Sequence, residues 1–252
     1  MKNFDTIFSR LNSAKDFEIK SIIEALKPDY VEINRETTID FISKEYRSVS
    51  GNSAMNIFRD DHEFPYKQIL IDVADKMKPG YSWTNHSLKD QTSEETIEDE
   101  ILSYMEIGIN ERLGKLSEDE RKALASDIEK KLEEQVGHEA YFDNAIKAQI
   151  TGAIAAGTVS ALFAGPAALA LFYSGFWGGI SAFLFGINSS LLLAGGAVLF
   201  FPIAILAATA FAMSTSYGKS IPVTIVMISI RKRIEAEKEF DAILSKQNQP
   251  DV

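Results

Sequence analysis

AQITGAIAAGTVSALFAGPAALALFYSGFWGGISAFLFGINSSLLLAGGAVLFFPIAILAATAFAMSTSYG, residues 148–218, is the stretch on which the reading of this chain turns. Between Lys147 and Lys219 there is no charged residue, although 25% of the chain is charged. As helix, a run of this length reaches ~107 Å, enough for two or three crossings of a hydrocarbon core of about 30 Å. Either the segment meets a membrane, or it is buried in an apolar helical core or oligomer interface.

The block divides at its own breakers. Gly165-Pro166 separates 148–164 from 167–185, and Gly186-Ile187-Asn188-Ser189-Ser190 separates that piece from 191–212. The first piece is rich in Gly and Ala and only weakly apolar, whereas the second and third are long enough to span. Close-packing spellings recur in Gly152 with Ala156, Ala153 with Gly157, and Gly175 with Gly179, and Gly195-Gly196 joins them. A helical hairpin is the natural reading, with both polar ends on one side. After it, Pro222 is expected to set a turn or a helix start. A short apolar run, Val223 to Ile230, closes on Arg231-Lys232-Arg233. That triplet reads equally as a cytoplasmic membrane edge or as a solvated helix end complementing the helix dipole.

The flanks differ in charge. Of 36 Asp and Glu and 26 Lys and Arg, residues 1–147 hold 31 and 20, and the tail from Lys219 holds the remaining 5 and 6. An acidic body of this kind argues against nucleic-acid binding, which needs a basic surface to neutralise phosphates. With no cysteine in the chain, disulfides, thiolate nucleophiles and Cys-based zinc sites are excluded. The first residues lack the apolar core of a secretory signal, so the acidic part is expected in the cytoplasm.

Residues 1–147 read as helices. Phe4, Ile7, Phe8 and Leu11 fall at helical spacing, and Ile19, Ile22, Ile23 and Leu26 continue the pattern until Lys27-Pro28. A second stripe runs through Ile39, Phe41, Ile42, Tyr46 and Val49, ending before Gly51. Pro65 suits a first helical residue, followed by a stripe of Tyr66, Ile69, Leu70, Val73, Ala74 and Met77. Capping-box spellings, Thr92 with Glu95 and Ser117 with Glu120, open two more helices. Their apolar faces are Ile97, Ile101, Met105, Ile109 and Leu113, then Leu124, Ile128 and Leu132. No alternation of strand type occurs. The expected fold is all-α: an acidic helical domain over 1–147, a Gly/Ala-rich hydrophobic hairpin over 148–216, and a C-terminal helix with a polar tail over 217–252.

Catalysis has little support. The histidines are His62, His86 and His138, and no HExxH, GxSxG or phosphate-cradling glycine loop is present. Asp60-Asp61-His62-Glu63 has metal-ligand residue types, but four consecutive ligands on one short loop cannot all converge on one ion. A solvated turn before Pro65 is the better reading. No catalytic residue, metal or cofactor is therefore expected.

One stretch is more specific. Gly51-Asn52-Ser53-Ala54-Met55-Asn56-Ile57-Phe58-Arg59, then Tyr66-Lys67-Gln68-Ile69-Leu70-Ile71-Asp72-Val73, resembles the YaaW family of bacterial proteins. There, small and apolar residues, Asn and Arg precede a "Y-x-x-I-L-x-D-V" helix. Leu116 to Arg121 is similar to that family's central acidic helix start, and Tyr217 to Val223 with Arg231-Lys232-Arg233 to its closing signature. Asp60 to Glu63 stands where the family has a glycine-rich turn.

The resemblance implies no catalytic residue. Its JukA-like members are associated with defence against jumbo phages and work with a second protein. On the resemblance, Asn56, Arg59, Tyr66, Asp72, Tyr217 and Pro222 are structural or partner-binding positions, with Arg59 and Asp72 a candidate ion pair. The expectation that follows is a non-enzymatic protein of the bacterial cytoplasm and inner membrane. Its partners would be membrane lipid, a second protein component, or further copies of itself. Two rivals stand beside it: a soluble assembly factor whose apolar block is a buried core, and a metal hydrolase built on residues 60–63.

Overall fold

The computed structural model describes residues 5–27, 29–31, 34–51, 64–78, 92–136, 144–158 and 217–247. These residues form eight α-helices, α1 (Thr6–Ser13), α2 (Asp16–Leu26), α3 (Arg35–Gly51), α4 (Tyr66–Met77), α5 (Glu94–Lys115), α6 (Glu118–Val136), α7 (Asn144–Ala156) and α8 (Tyr217–Gln247), and no strand. The all-α expectation holds for them.

The last helix is the axis of the core. Along α8, Ile221, Val223, Ile225, Met227, Ile228 and Ile230 are 3% exposed or less, and Pro222 and Thr224 are buried between them. Successive residues are thus covered on every side, the pattern of a helix enclosed by others. The enclosing helices are α1, α2, α3 and α4, while α5 packs on α4 and α6 on α7. At about 1.5–3 kcal/mol for each large aliphatic side chain, this one helix supplies a substantial share of the hydrophobic driving force. The helix that follows the apolar block in sequence is therefore, from Ser220 to Arg233, the centre of the core formed by the first helices.

The apolar stripes read for α4 and α5 are buried faces, whereas in α6 Leu124 is half-buried. In α4, Tyr66, Ile69, Leu70, Val73 and Ala74 are buried, and in α5 Ile97, Ile101, Met105, Ile109 and Leu113 are 1% exposed or less. Ring stacking of Tyr30 on Phe41, centroids 4.0 Å apart, ties the α2–α3 connection to α3.

Helix starts needed correction. The first two apolar clusters are separate helices, because Ala14 and Lys15 are extended. Glu18 then takes the free Lys15 backbone N–H at 2.6 Å. Helix α3 begins four residues ahead of Ile39, where Asn34 Oδ1 accepts the Thr37 N–H at 2.9 Å. Pro65 is the residue before the helix, not its first. Ser93, not Thr92, caps α5, accepting the Thr96 N–H at 3.2 Å. The Ser117–Glu120 capping box forms as read, with Ser117 N–H to Glu120 at 2.8 Å and Glu120 N–H to Ser117 at 3.3 Å.

Pro222 is a further correction: it lies inside α8, five residues past Tyr217. Its ring removes the N–H that would bond the Gly218 carbonyl, and the buried packing around it keeps the helix continuous.

The boundary drawn at 147/148 falls inside α7. Ile150 and Ile154 are buried in the same core. The helix ends at Gly157, whose φ of +80° is left-handed. Gly157 N–H reaches the Ile154 carbonyl and Thr158 N–H the Ala153 carbonyl, each at 3.0 Å. These two bonds satisfy two of the four terminal carbonyls that an α-helix leaves orphaned. Residues 159–216, and with them the hairpin expectation, lie outside the described residues. No described helix is long and apolar enough to cross a membrane.

The enclosure of α8 makes a direct prediction. Met227→Ala should cost about 2–5 kcal/mol of unfolding free energy. Ile107→Ala, at a residue 41% exposed on α5, should change it by less than about 0.5 kcal/mol. Urea denaturation followed by circular dichroism compares the two; equal losses would contradict the assignment of α8 as the core axis.

Candidate functional site

Helices α1, α4, α5 and α8 each deliver a polar side chain to one point inside the apolar core. On α1, Arg10 lies three residues after Ile7 and next to Leu11, so it shares their inward face. On α5, Glu98 precedes Ile101 by three and Met105 by seven, again on the buried stripe. Helical geometry therefore forces both charges inward, where each needs a partner to offset lost hydration.

Glu98 is 0% exposed and is engaged from three sides. The Tyr66 hydroxyl donates to its Oε1 at 2.6 Å, and Arg10 Nη1 donates to the same oxygen. On the other side Arg231 Nε lies 2.5 Å from Oε2, an ion pair without the alignment of a hydrogen bond. Arg10 also donates to Tyr66 Oη at 2.7 Å, with its guanidinium 4.9 Å from the Tyr66 ring centroid. Arg231 continues to Asp99 at 2.5 Å and Glu235 at 2.9 Å, and Lys232 joins Asp99 at 2.9 Å.

The electrostatics follow from this crowding. Burial works to lower the Arg10 pKa, but Tyr66 and Glu98 outweigh it and the net shift is upward. Burial likewise opposes Arg231, and Glu98 with Asp99 reverses it. Burial, then the Glu98 charge, pushes the Tyr66 phenol well above its ordinary value, so it serves as a neutral donor.

A second cluster sits two residues further along α8. Arg233, 1% exposed, binds Glu18 through two N–H groups at 2.9 and 3.0 Å. It also donates to Glu237 at 2.9 Å and to the Ser13 carbonyl at 2.8 Å. Arg35 reaches the adjacent Ala14 carbonyl and Asp16. Two arginines from distant helices thus clamp the elbow between α1 and α2, satisfying carbonyls at the end of α1. The triplet Arg231-Lys232-Arg233 is accordingly neither a solvated helix end nor a terminus; it lies within α8 and pairs with carboxylates.

The other sequence-selected positions divide. Tyr66 is in the network. Asp72 accepts from Gln68 at 2.9 Å, and Tyr217 has the Lys76 ammonium 5.5 Å from its ring centroid. The two motif segments thus lie on α4 and α8, which pack together. Gly152 is exposed on α7, and no described atom lies within 4 Å of where its Cβ would be. It is therefore not a close-packing position against any described helix. Gly157 terminates α7, and the Arg121 side chain of α6 lies close against it. Asn56, Arg59, Gly165, Pro166, Gly175, Gly179, Gly195 and Gly196 lie outside the described residues, as do Asp60, Asp61, His62, Glu63, His86 and His138. Among the described residues no cluster of three or more His, Cys, Asp or Glu has the geometry to hold a metal ion.

Arg10 and Glu18 were not singled out by sequence; Arg231 and Arg233 were, but as a membrane edge or helix end, and Glu98, which as one of a run of acids reads as a solvated helix face, is fully buried. The available signal was a charged residue placed on an apolar stripe, as at Arg10 and Glu98. What the arrangement does chemically is to hold four helices in fixed register. No protein-family profile, curated protein or solved structure matches the chain.

Two outcomes test this network. Glu98→Ala leaves the buried Arg10 without its carboxylate and the half-buried Arg231 with only Asp99 and Glu235, and should cost about 3–5 kcal/mol in chemical denaturation. The second concerns Asp99, whose partial burial works to raise its pKa. Hydrogen bonds from Lys232 and Arg231 outweigh that and hold it below its ordinary 3.8. The folded value being the lower one, the stabilisation is complete above pH 3.8 and fades as pH falls through the folded value. Asp99→Asn should flatten the stability–pH curve below about pH 4 and leave its neutral limb parallel to wild type.

Proposed function

We propose that the chain is a non-enzymatic helical protein whose uncharged segment, 159–216, associates with membrane lipid, while the acidic helical body engages a second protein component. The observation that carries this reading is the attachment of that segment. It leaves the body after the Gly157 terminus of α7 and returns as α8, and residues of both helices belong to one hydrophobic core. A run of 58 residues (159–216) without one charge is thereby tethered at both ends. Insertion of such a run gains apolar transfer energy with no charge to oppose it. Both tethers on one body favour an even number of crossings, with the polar body on the cytoplasmic side of a bacterial inner membrane. The resemblance to the YaaW family extends the reading to anti-phage defence, in which the body would sense or recruit the second component.

One observation favours a different reading, a soluble assembly factor with a buried apolar block. The uncharged run is already used as protein core at its first end, through Ile150 and Ile154 on α7, and the helix it leads into, past Lys219, is the core axis. Continued inward, the same use would bury the rest against the body or against further copies of the chain.

Fractionation of the native protein, with an alkaline carbonate wash of the membranes, separates the two. The membrane reading expects the protein in the washed pellet. It further expects that replacing 159–216 by a Gly/Ser linker moves it to the supernatant with the helicity of the body retained. Recovery of the native chain as a uniform soluble species would overturn membrane association in resting cells. Aggregation of the linker variant would support the buried-core reading. The replacement must begin after Thr158, because α7 is part of the core.

A further inference from the structure

Helix α1 is attached in an unusual way: Glu98, Arg47 and Arg233, the charged partners of α1 and its cap on the buried side, each keep another partner that does not belong to α1, and Thr6 adds a part-buried hydrogen bond to Glu94 at 2.9 Å. Glu98 binds Arg10 of α1, but also Arg231 of α8 and the Tyr66 hydroxyl. Arg47 pairs with Asp5, but also donates to the Phe64 carbonyl at 2.7 Å. At the elbow, Arg233 holds the Ser13 carbonyl but keeps Glu18 and Glu237. Removing one member of a buried ion pair is ordinarily costly because the other charge is left bare. Here it is not left bare.

The apolar attachment is also small. Ile7 and Leu11 are fully buried and Phe8 partly, whereas α4 buries six apolar side chains, Tyr66, Ile69, Leu70, Ile71, Val73 and Ala74. An isolated helix of eight residues has no stability of its own in water, so a detached α1 would also unwind.

We infer that α1 is a latch: it detaches from α3 and α8 as a unit while the rest of the core stays folded, and the redundant pairing of Glu98, Arg47 and Arg233 is what makes that opening affordable. Detachment uncovers the charged stretch of α8 and removes one of the four helices that enclose it. The inference concerns the helical body alone and stands whether or not 159–216 enters lipid.

Hydrogen exchange with mass spectrometry on the full chain tests it. The hydrogen-bonded amides of α1, from Ser9 to its end, should exchange at least ~100-fold faster than those of Val223–Ile230, as expected of a sub-global opening. Leu11→Ala should widen that gap by about 30-fold, acting on α1 alone. Arg231→Met gives the sharper signature, since opening α1 would then leave Glu98 without any arginine. The α1 amides should slow by about tenfold while those of Val223–Ile230 speed up. Should Leu11→Ala fail to fold, Ile7→Val provides a smaller effect of the same kind, about fivefold. Equal exchange of α1 and α8 in the wild type would overturn the latch, as would acceleration of both together in Leu11→Ala. Faster α1 exchange in Arg231→Met would overturn the shared-partner explanation.

Discussion

A carboxylate with no exposed surface cannot be left with half its charge unanswered, and Glu98 is answered from both sides of the core. Arg10 and Tyr66 approach one oxygen, and Arg231 the other. The consequence is register. Sliding α8 by one turn would set Met227 where Arg231 stands, and Glu98 would face a thioether. Apolar contacts alone would tolerate that slip, because over Ile221 to Ile230 α8 carries apolar side chains on all sides, with only Thr224 and Ser229 polar, and offers no distinct apolar stripe to align. Charge supplies the discrimination that hydrophobicity lacks here. Whether such pairs add net stability matters less, since buried ion pairs often do no better than apolar replacements.

Much of the fold was legible because its outer helices are ordinary. The stripes of α4 and α5 have one apolar face and one polar face, and the buried residues are those that periodicity selects. The misreadings share a physical origin. Period and residue class describe a helix that meets solvent on one side, and α8 does not. Its apolar run therefore resembled an appendix to the block before it, and its arginines resembled a terminus. The break at Ala14-Lys15 left no trace in the stripe, since the apolar spacing resumes after it. Of the candidate positions, Tyr66 was reached through its motif, yet its partners Arg10 and Glu98 were not. A charged residue among apolar ones reads as a solvated edge unless its partner, 88 residues away in sequence, is known.

The absence of charge from 148 to 218 does not mark a single unit. At its first margin it covers residues that this protein buries within itself, Ile150 and Ile154, and Gly157 shows where that margin ends: a left-handed residue beside two satisfied carbonyls in the last turn of α7. Arg121 Nη1 lies 3.0 Å from where a Cβ on Gly157 would sit. A side chain at this position would thus meet both backbone strain and a steric neighbour. Uncharged length alone overstated the apolar block by the eleven residues 148–158, which belong to the body, and by the opening residues of α8.

The placement of α8 at the centre also sets an order of events. Arg233 closes on the Ser13 carbonyl across 220 positions of sequence, so the first helices emerge from the ribosome long before the element they enclose. At about 5–20 residues per second the wait is on the order of 10–40 s. Throughout it Ile7, Leu11, Ile22, Leu26, Ile42 and Leu70 lack their final cover, and the whole uncharged run is synthesised in the interval. The most apolar part of the chain thus reaches water, lipid or a chaperone before the body that carries it has a finished core. For this topology, the apolar segment meets its surroundings before the core that tethers it is complete.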